Sequence, residues 1–190
     1  MQKKVCLNRK ILQLAVPNIV TNITIPLLSM IDLGLMGHME GERYLGAIAL
    51  GSMIFSFLFW GFGFLRMGTS GFTAQAYGRR DLGEAGAVLV RGISTAFGAG
   101  ILLIVLQVPI AWIALKFISG NPDTEALALS YYGIRIFAAP ATLVIYALTG
   151  WFIGMQNARI PMILAISINL LNIILSLVFI RLFGLASDGI

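Results

Sequence analysis

Charge is scarce in this chain. Only 11% of its residues are Asp, Glu, Lys or Arg, against 58% that are hydrophobic, and the mean hydropathy is +0.92. A soluble domain carries about 25% charged residues, so the polar surface here is too small to cover a water-soluble globule. Cysteine is nearly missing as well. Cys6 stands alone, which excludes an internal disulfide and a cysteine metal cluster. Histidine is limited to His38. No H-E-x-x-H, P-loop or dinucleotide fingerprint occurs, so the usual signatures of zinc peptidases and of nucleotide- and dinucleotide-binding proteins are absent.

What the chain does have is long apolar runs. The solvent they imply is a bilayer, whose core takes about 20 consecutive apolar residues per helix. Five runs stand out: about Ile11 to Met36, about Tyr44 into "TAQAY", roughly Ala85 to Leu115, roughly Ala126 to Met155, and roughly Pro161 to Phe183. Helix is the predicted state of all five, because a lone strand cannot satisfy its backbone in lipid. The fold class is therefore an all-α integral membrane bundle. The short polar joints "GHMEGER", "YGRRDLGE", "SGNPDTE" and "QNARIP" read as turns, and the 21 glycines suit close helix packing.

The net charge of +5 would point to nucleic acid in a soluble protein. Here the basic residues sit at the ends of apolar runs, which makes them topology signals and leaves no nucleic-acid partner. Lys3, Lys4, Arg9 and Lys10 precede the first run, Arg79, Arg80 and Arg91 flank the second joint, and Arg159 lies in the fourth. Arg43, Lys116 and Arg181 fall on the other side, beside Glu40, Glu42, Asp123 and Glu125. The positive-inside rule then predicts a multi-pass protein of the cytoplasmic membrane with a cytoplasmic N-terminus. The first run is no signal peptide: it is too long, it carries Asn18, Asn22 and Asp32, and no small-residue cleavage site follows.

Those same residues pose the functional question. At 100° per residue, Asn18, Asn22, Ser29 and Asp32 share one helix face, with Thr21 at its border. An intramembrane carboxylate costs a few kcal/mol by insertion scales and marks a functional site by default. The alternative is an interfacial Asp near the outer end, but a mere cap needs no asparagines two turns below it. Pro17 and Pro26 each remove a backbone donor and bend this run, as a moving wall of a cavity would need. The fifth run repeats the pattern in "SINLLNIILSL", where Asn169, Asn172 and Ser176 fall on one face. Such asparagines can also simply hold helices together, at about 1 kcal/mol each. Two polar stripes, one holding a carboxylate, favour a shared cavity.

Other polar residues inside the runs carry less. Arg66 lies near the inner surface and can snorkel. Arg135, in "YYGIRIFAAP", is open between a carboxylate partner and backbone carbonyls. "GTSG" at Gly68 to Gly71 matches a serine nucleophile pattern, but Ser70 is most of a bilayer from His38, and a nucleophile needs a base within hydrogen-bond reach. No catalytic role is assigned and no enzyme activity is expected.

Taken together, "AVPNIVTNITIPLLSMIDLGLMGHM", "LRMGTSGFTAQAYGRRD", "YYGIRIFAAP" and "GMQNARIPM" resemble the N-terminal half of a multidrug and toxic compound extrusion (MATE) transporter of the DinF-like branch. The likeness runs through essentially the whole chain. It implies a bundle of twelve helices in two lobes of six, with residues 1–190 as an incomplete N-terminal lobe of about five spans and the C-terminal lobe as its partner. It implies an antiporter that exports organic, often cationic, compounds against protons or sodium, with no cofactor. The family's first-helix acid falls on Asp32, where the coupling ion is a proton or sodium, and its fifth-helix asparagine falls on Asn172. Some members carry a second Asp where this chain has Ser176, so Asp32 would couple alone. Asn18, Asn22, Ser29, Asn169, Asn172 and Ser176 would line the cavity. A lipid or glycolipid flippase of the wider superfamily is the rival within transport, but it calls for several cations to hold phosphate. A non-transporting scaffold is the rival from another class, and it has no use for a buried carboxylate.

Overall fold

The computed structural model describes residues 11–12, 15–23, 42–117 and 122–183, and every regular element among them is helical. α1 covers 15–23. It is followed by α2 (Glu42–Gly61), α3 (Gly63–Gly78), α4 (Leu82–Val105), α5 (Gln107–Phe117), α6 (Pro122–Arg135), a 3₁₀ turn (Ile136–Ala138), α7 (Ala139–Gly154) and α8 (Arg159–Phe183). The chain divides into two compact units. One is Gly41–Gly154, and the other joins Met1–Glu40 to Met155–Ile190, so α1 and α8 share a unit.

The all-helical expectation holds, with one refinement. Runs two, three and four, read as single helices, are each interrupted. In run two the break is Phe62 between Gly61 and Gly63, where Phe62 N–H bonds back to Phe59 O and Leu65 N–H to Phe62 O in i−3 fashion. The flanking glycines lower the helix preference locally. In the other two the cause is proline. Pro109 stands four residues after Val105, where α4 ends, and Pro140 stands four after Ile136, where the 3₁₀ turn begins. A proline ring clashes with the carbonyl four residues earlier, and the chain relieves this by leaving the α-helix at that carbonyl.

Among the described residues, three stretches are long and apolar enough to cross a bilayer: Ala49–Gly78, Leu82–Val105 and Glu125–Gly154. At 1.5 Å per residue they measure about 36–45 Å, against a hydrocarbon core of about 30 Å. Their outward faces are apolar: Phe57, Trp60 and Met67 are each more than 70% exposed, and Val105 is 69% exposed. Water would not tolerate such a surface; lipid does.

In the Gly41–Gly154 unit, the second and fourth runs lie parallel, and α4 passes antiparallel to α7. Gly92 of α4 meets Thr69 of α3 and Ala147 of α7, Gly100 meets Pro140, and Trp151 Nε1–H donates to Ala85 O at 2.9 Å. Small residues set the spacing. Gly150 and Gly154, four apart on α7, face the α3 backbone at Arg66 and Ser70. A Cβ on Gly154 would lie 2.6 Å from Thr73 Cβ and 2.7 Å from Ser70 O; one on Gly150 would run into Arg66 O. This is the close backbone approach that small residues four apart allow in membranes. It gives "RMGTSGFTAQA" a structural meaning: Leu65, Thr69, Thr73 and Ala76 form the buried stripe of α3. The core continues through Ile54, Phe55, Ala96, Leu103, Tyr132, Ile136, Leu143 and Ala147.

The joint "YGRRDLGE" shrinks to Arg79–Asp81. Asp81 N–H bonds to Ala76 O and Arg80 N–H to Tyr77 O, the two crossed bonds of a Schellman turn. Arg80 therefore takes φ 59°, where glycine is the cheapest residue; a side chain there costs about 1–2 kcal/mol. Asp81 then caps α4 by accepting from Glu84 N–H at 2.9 Å.

Candidate transport site

The sequence places its site on the first and fifth runs, and both helices belong to one unit of the structure. On α1, Pro17 is buried, Asn18 is half-buried and Asn22 is exposed. Thr21 turns back on its own helix: its hydroxyl donates to Pro17 O at 2.9 Å. It is thereby removed from the polar stripe that it borders. Ser29 and Asp32 lie outside the described residues, as do Pro26, His38 and the side chain of Ser176.

On α8, two of the three residues of the expected stripe have described side chains. Asn169 and Asn172 are both half-buried, three residues apart on one face. Asn169 Nδ2 and Asn172 Oδ1 are buried and meet no hydrogen-bond partner among the described residues. A buried amide left unpaired costs about 1–3 kcal/mol. Among the described residues, neither group is bonded as helix glue would be. What α8 presents instead is a donor and an acceptor one turn apart, with their capacity unspent among the described residues, in a stretch that apart from Ser167 and Ser176 is Ile, Leu, Met, Ala and Val around them.

The remaining polar residues of the runs are placed by the other unit. Ser70 is half-buried with its carbonyl against Gly154, so "GTSG" belongs to the α3–α7 seam. Arg66 is exposed. Arg135, whose partner the sequence leaves open, lies over two aromatic rings: its guanidinium carbon is 5.2 Å from the Phe55 ring centre and 5.4 Å from that of Tyr131, and it donates to the Tyr131 hydroxyl. Neither a carboxylate nor a backbone carbonyl is its partner among the described residues. The ring faces supply the negative potential that a partly desolvated cation needs. The signal was Tyr131 itself, four residues before Arg135 and so on the same helix face. No group of three or more His, Cys, Asp or Glu that could hold a metal occurs among the described residues.

The wider likeness of the chain accords with this architecture. The MatE family model matches residues 17–178. DNA damage-inducible protein F of Escherichia coli (strain K12) is 43% identical over 162 residues, which is 85% of this chain and 35% of that protein. The chain thus spans about a third of that relative's length. Among solved structures, a MATE protein in complex with MaD5 superposes with a TM-score of 0.85 at 22% identity, over 95% of this chain and 41% of that one. A MOP superfamily transporter from Pyrococcus furiosus, whose binding pocket is described as reversed in polarity, gives the same TM-score and identity over 95% and 40%. At that identity the two structures speak for the fold. The family match covers most of the chain and the E. coli relative is close, so the chain belongs to the MatE family, with its kinship in the DinF-like branch.

Proposed function

We propose that this chain forms part of a secondary active exporter that exchanges organic, often cationic, solutes for protons or sodium. Asp32 holds the coupling ion. Asn18, Asn22, Ser29, Asn169, Asn172 and Ser176 line the cavity that solute and ion share. The observation that carries this reading is the pair of buried amide atoms on α8, without a partner among the described residues and in the same unit as α1. Groups of that kind await a ligand or water, and the intramembrane setting makes their idleness expensive.

A single carboxylate in an apolar setting can be neutralised by a proton or paired with a cation, and one occupant excludes the other. Competition for one site is the logic of an exchanger. Between Asn169 and Ser176 α8 carries no lysine or arginine. The face therefore suits a cationic or neutral solute better than the phosphate of a flippase substrate. The clustering of Arg79, Arg80 and Arg159 at the joints supports a cytoplasmic N-terminus in the cytoplasmic membrane.

The test is transport in sealed vesicles with pH and sodium gradients varied separately, wild type against Asp32→Asn. The substitution keeps shape and removes the charge. Normal insertion with loss of gradient-driven export of a cationic dye is the expected result; export at the wild-type rate by Asp32→Asn would sink the assignment.

A further inference from the structure

The α3–α4 surface carries a feature that solute exchange does not use. A groove of about 290 Å³ lies between the two helices, floored by Leu65, Gly68 and Thr69 and walled by Phe64 and Phe72. Both phenylalanines are at least 60% exposed, so the groove is open. On α4 its lining runs from Glu84 to Thr95, about 16 Å along the helix. One end is apolar and lies deep in the span. The other ends at Glu84, three residues past Asp81 of the Arg79–Asp81 turn; Arg91, two turns deeper on α4, reaches back to it, and its Nη1–H donates to Glu84 Oε1 at 3.1 Å.

The charge at that end is unbalanced. Arg79, Arg80 and Arg91 stand there against Asp81, which caps α4, and Glu84, which Arg91 engages, so one positive charge is left over. Arg79 and Arg80 are exposed and make no ion pair among the described residues. The Arg91 side chain is itself 70% exposed, so it can bond a second anion beside Glu84. Arg80 holds this place in the left-handed backbone region that favours glycine, so the turn carries a cation at a position where geometry asks for none. An apolar trough that leads to a cationic mouth at the membrane surface is complementary to an amphiphile with one anionic head.

We propose that the α3–α4 groove binds one anionic phospholipid, with an acyl chain laid along Phe64, Gly68 and Phe72 and the phosphate held by Arg91 and the Arg79–Arg80 turn. Its lining residues all belong to the Gly41–Gly154 unit, whereas α1 and α8 belong to the other, and the proposal does not depend on the exporter reading.

Native mass spectrometry of the protein released from nanodiscs, which contain phosphatidylglycerol and phosphatidylethanolamine of matched chains, tests the proposal. One phosphatidylglycerol should be retained in preference to phosphatidylethanolamine, by about fivefold for each arginine engaged. Arg91→Gln, at an exposed position, should lower that preference by about the same factor. Gly68→Leu fills the trough: a Cβ there meets nothing within 4 Å, so the fold has room for it. Retention of both lipids should then fall, while glycerol 3-phosphate should fail to displace the bound lipid from the wild type. Equal retention of the two lipids by the wild type would overturn the proposal. So would unchanged retention in Gly68→Leu, or displacement by glycerol 3-phosphate, which would mark a headgroup contact without a chain site.

Discussion

At the scale of single residues, the informative groups are polar ones with nothing to do. Asn169 and Asn172 were legible in the sequence through their spacing of three, which puts them on one face of any helix. Their idleness was not, because whether an amide is bonded depends on neighbours that periodicity does not reveal. That idleness separates two accounts. An asparagine that glues helices contributes stability, whereas an unpartnered one costs it. Asn172→Ala deletes an acceptor that is unpaired among the described residues and puts a better helix former in its place. The folded protein should therefore lose less than about 0.5 kcal/mol, read as the unfolding midpoint in detergent. Transport should change more: a lost solute or water hydrogen bond of about 1 kcal/mol shifts apparent affinity or coupling about fivefold. A large loss of folded protein with unaltered transport in what remains would return Asn172 to the role of glue. Arg135 shows the opposite limit of legibility. Its aromatic seat involves Tyr131, which is local in sequence, and Phe55, which only the packing of α2 on α6 brings near.

Among elements, the five runs and their joints follow from hydropathy and from where arginine and glycine fall. The interruptions do not follow from hydropathy, since Phe62, Leu106 and Ile136–Ala138 are as apolar as their surroundings. The information lay in proline displaced by four residues: Pro109 ends α4 at Val105, and Pro140 starts the 3₁₀ turn at Ile136. The packing seam had a sequence signature too, "GWFIG" at Gly150 to Gly154, but which helix it faces is a tertiary fact. That seam yields a contrast between two glycines. A side chain on Gly150 meets the carbonyl of Arg66, which belongs to helix backbone and cannot rotate away, whereas one on Gly68 meets open space. Gly150→Leu should destabilise by about 1–3 kcal/mol or more, the usual cost of overpacking. Gly68→Ala should leave stability unchanged or raise it by up to about 1 kcal/mol through helix propensity. Denaturation of both variants in one detergent checks this. Equal losses at the two positions would mean that α3 and α7 do not pack through Gly150.

For the whole molecule, composition alone named the solvent, and three apolar spans with outward aromatic and aliphatic faces bear that out. The parallel course of runs two and four, with α4 antiparallel between them, sets the two ends of the unit apart. Arg79 and Arg80 lie at one end, and Lys116, stacked 3.7 Å over Trp112, lies on α5 toward the other. The coupling scheme is the property of the whole that the sequence constrains most. Of the eight acidic residues, Asp32 alone falls inside an apolar run; the others sit at joints, helix starts or the C-terminal end. On the proposed scheme, in which Asp32 couples alone, one carboxylate takes one proton or one sodium ion per cycle. Exchange of one proton for one monovalent organic cation moves no net charge, so the membrane potential does no work on the cycle. The pH difference alone then drives export, at about 1.4 kcal/mol, or tenfold accumulation, per pH unit. In vesicles with a potassium-valinomycin potential and equal pH on both sides, a monovalent cationic substrate should move no faster than at zero potential. A pH step at zero potential should drive it. Acceleration by potential at equal pH would require a second coupling charge per turnover, and Asp32 could not be the whole of the coupling site.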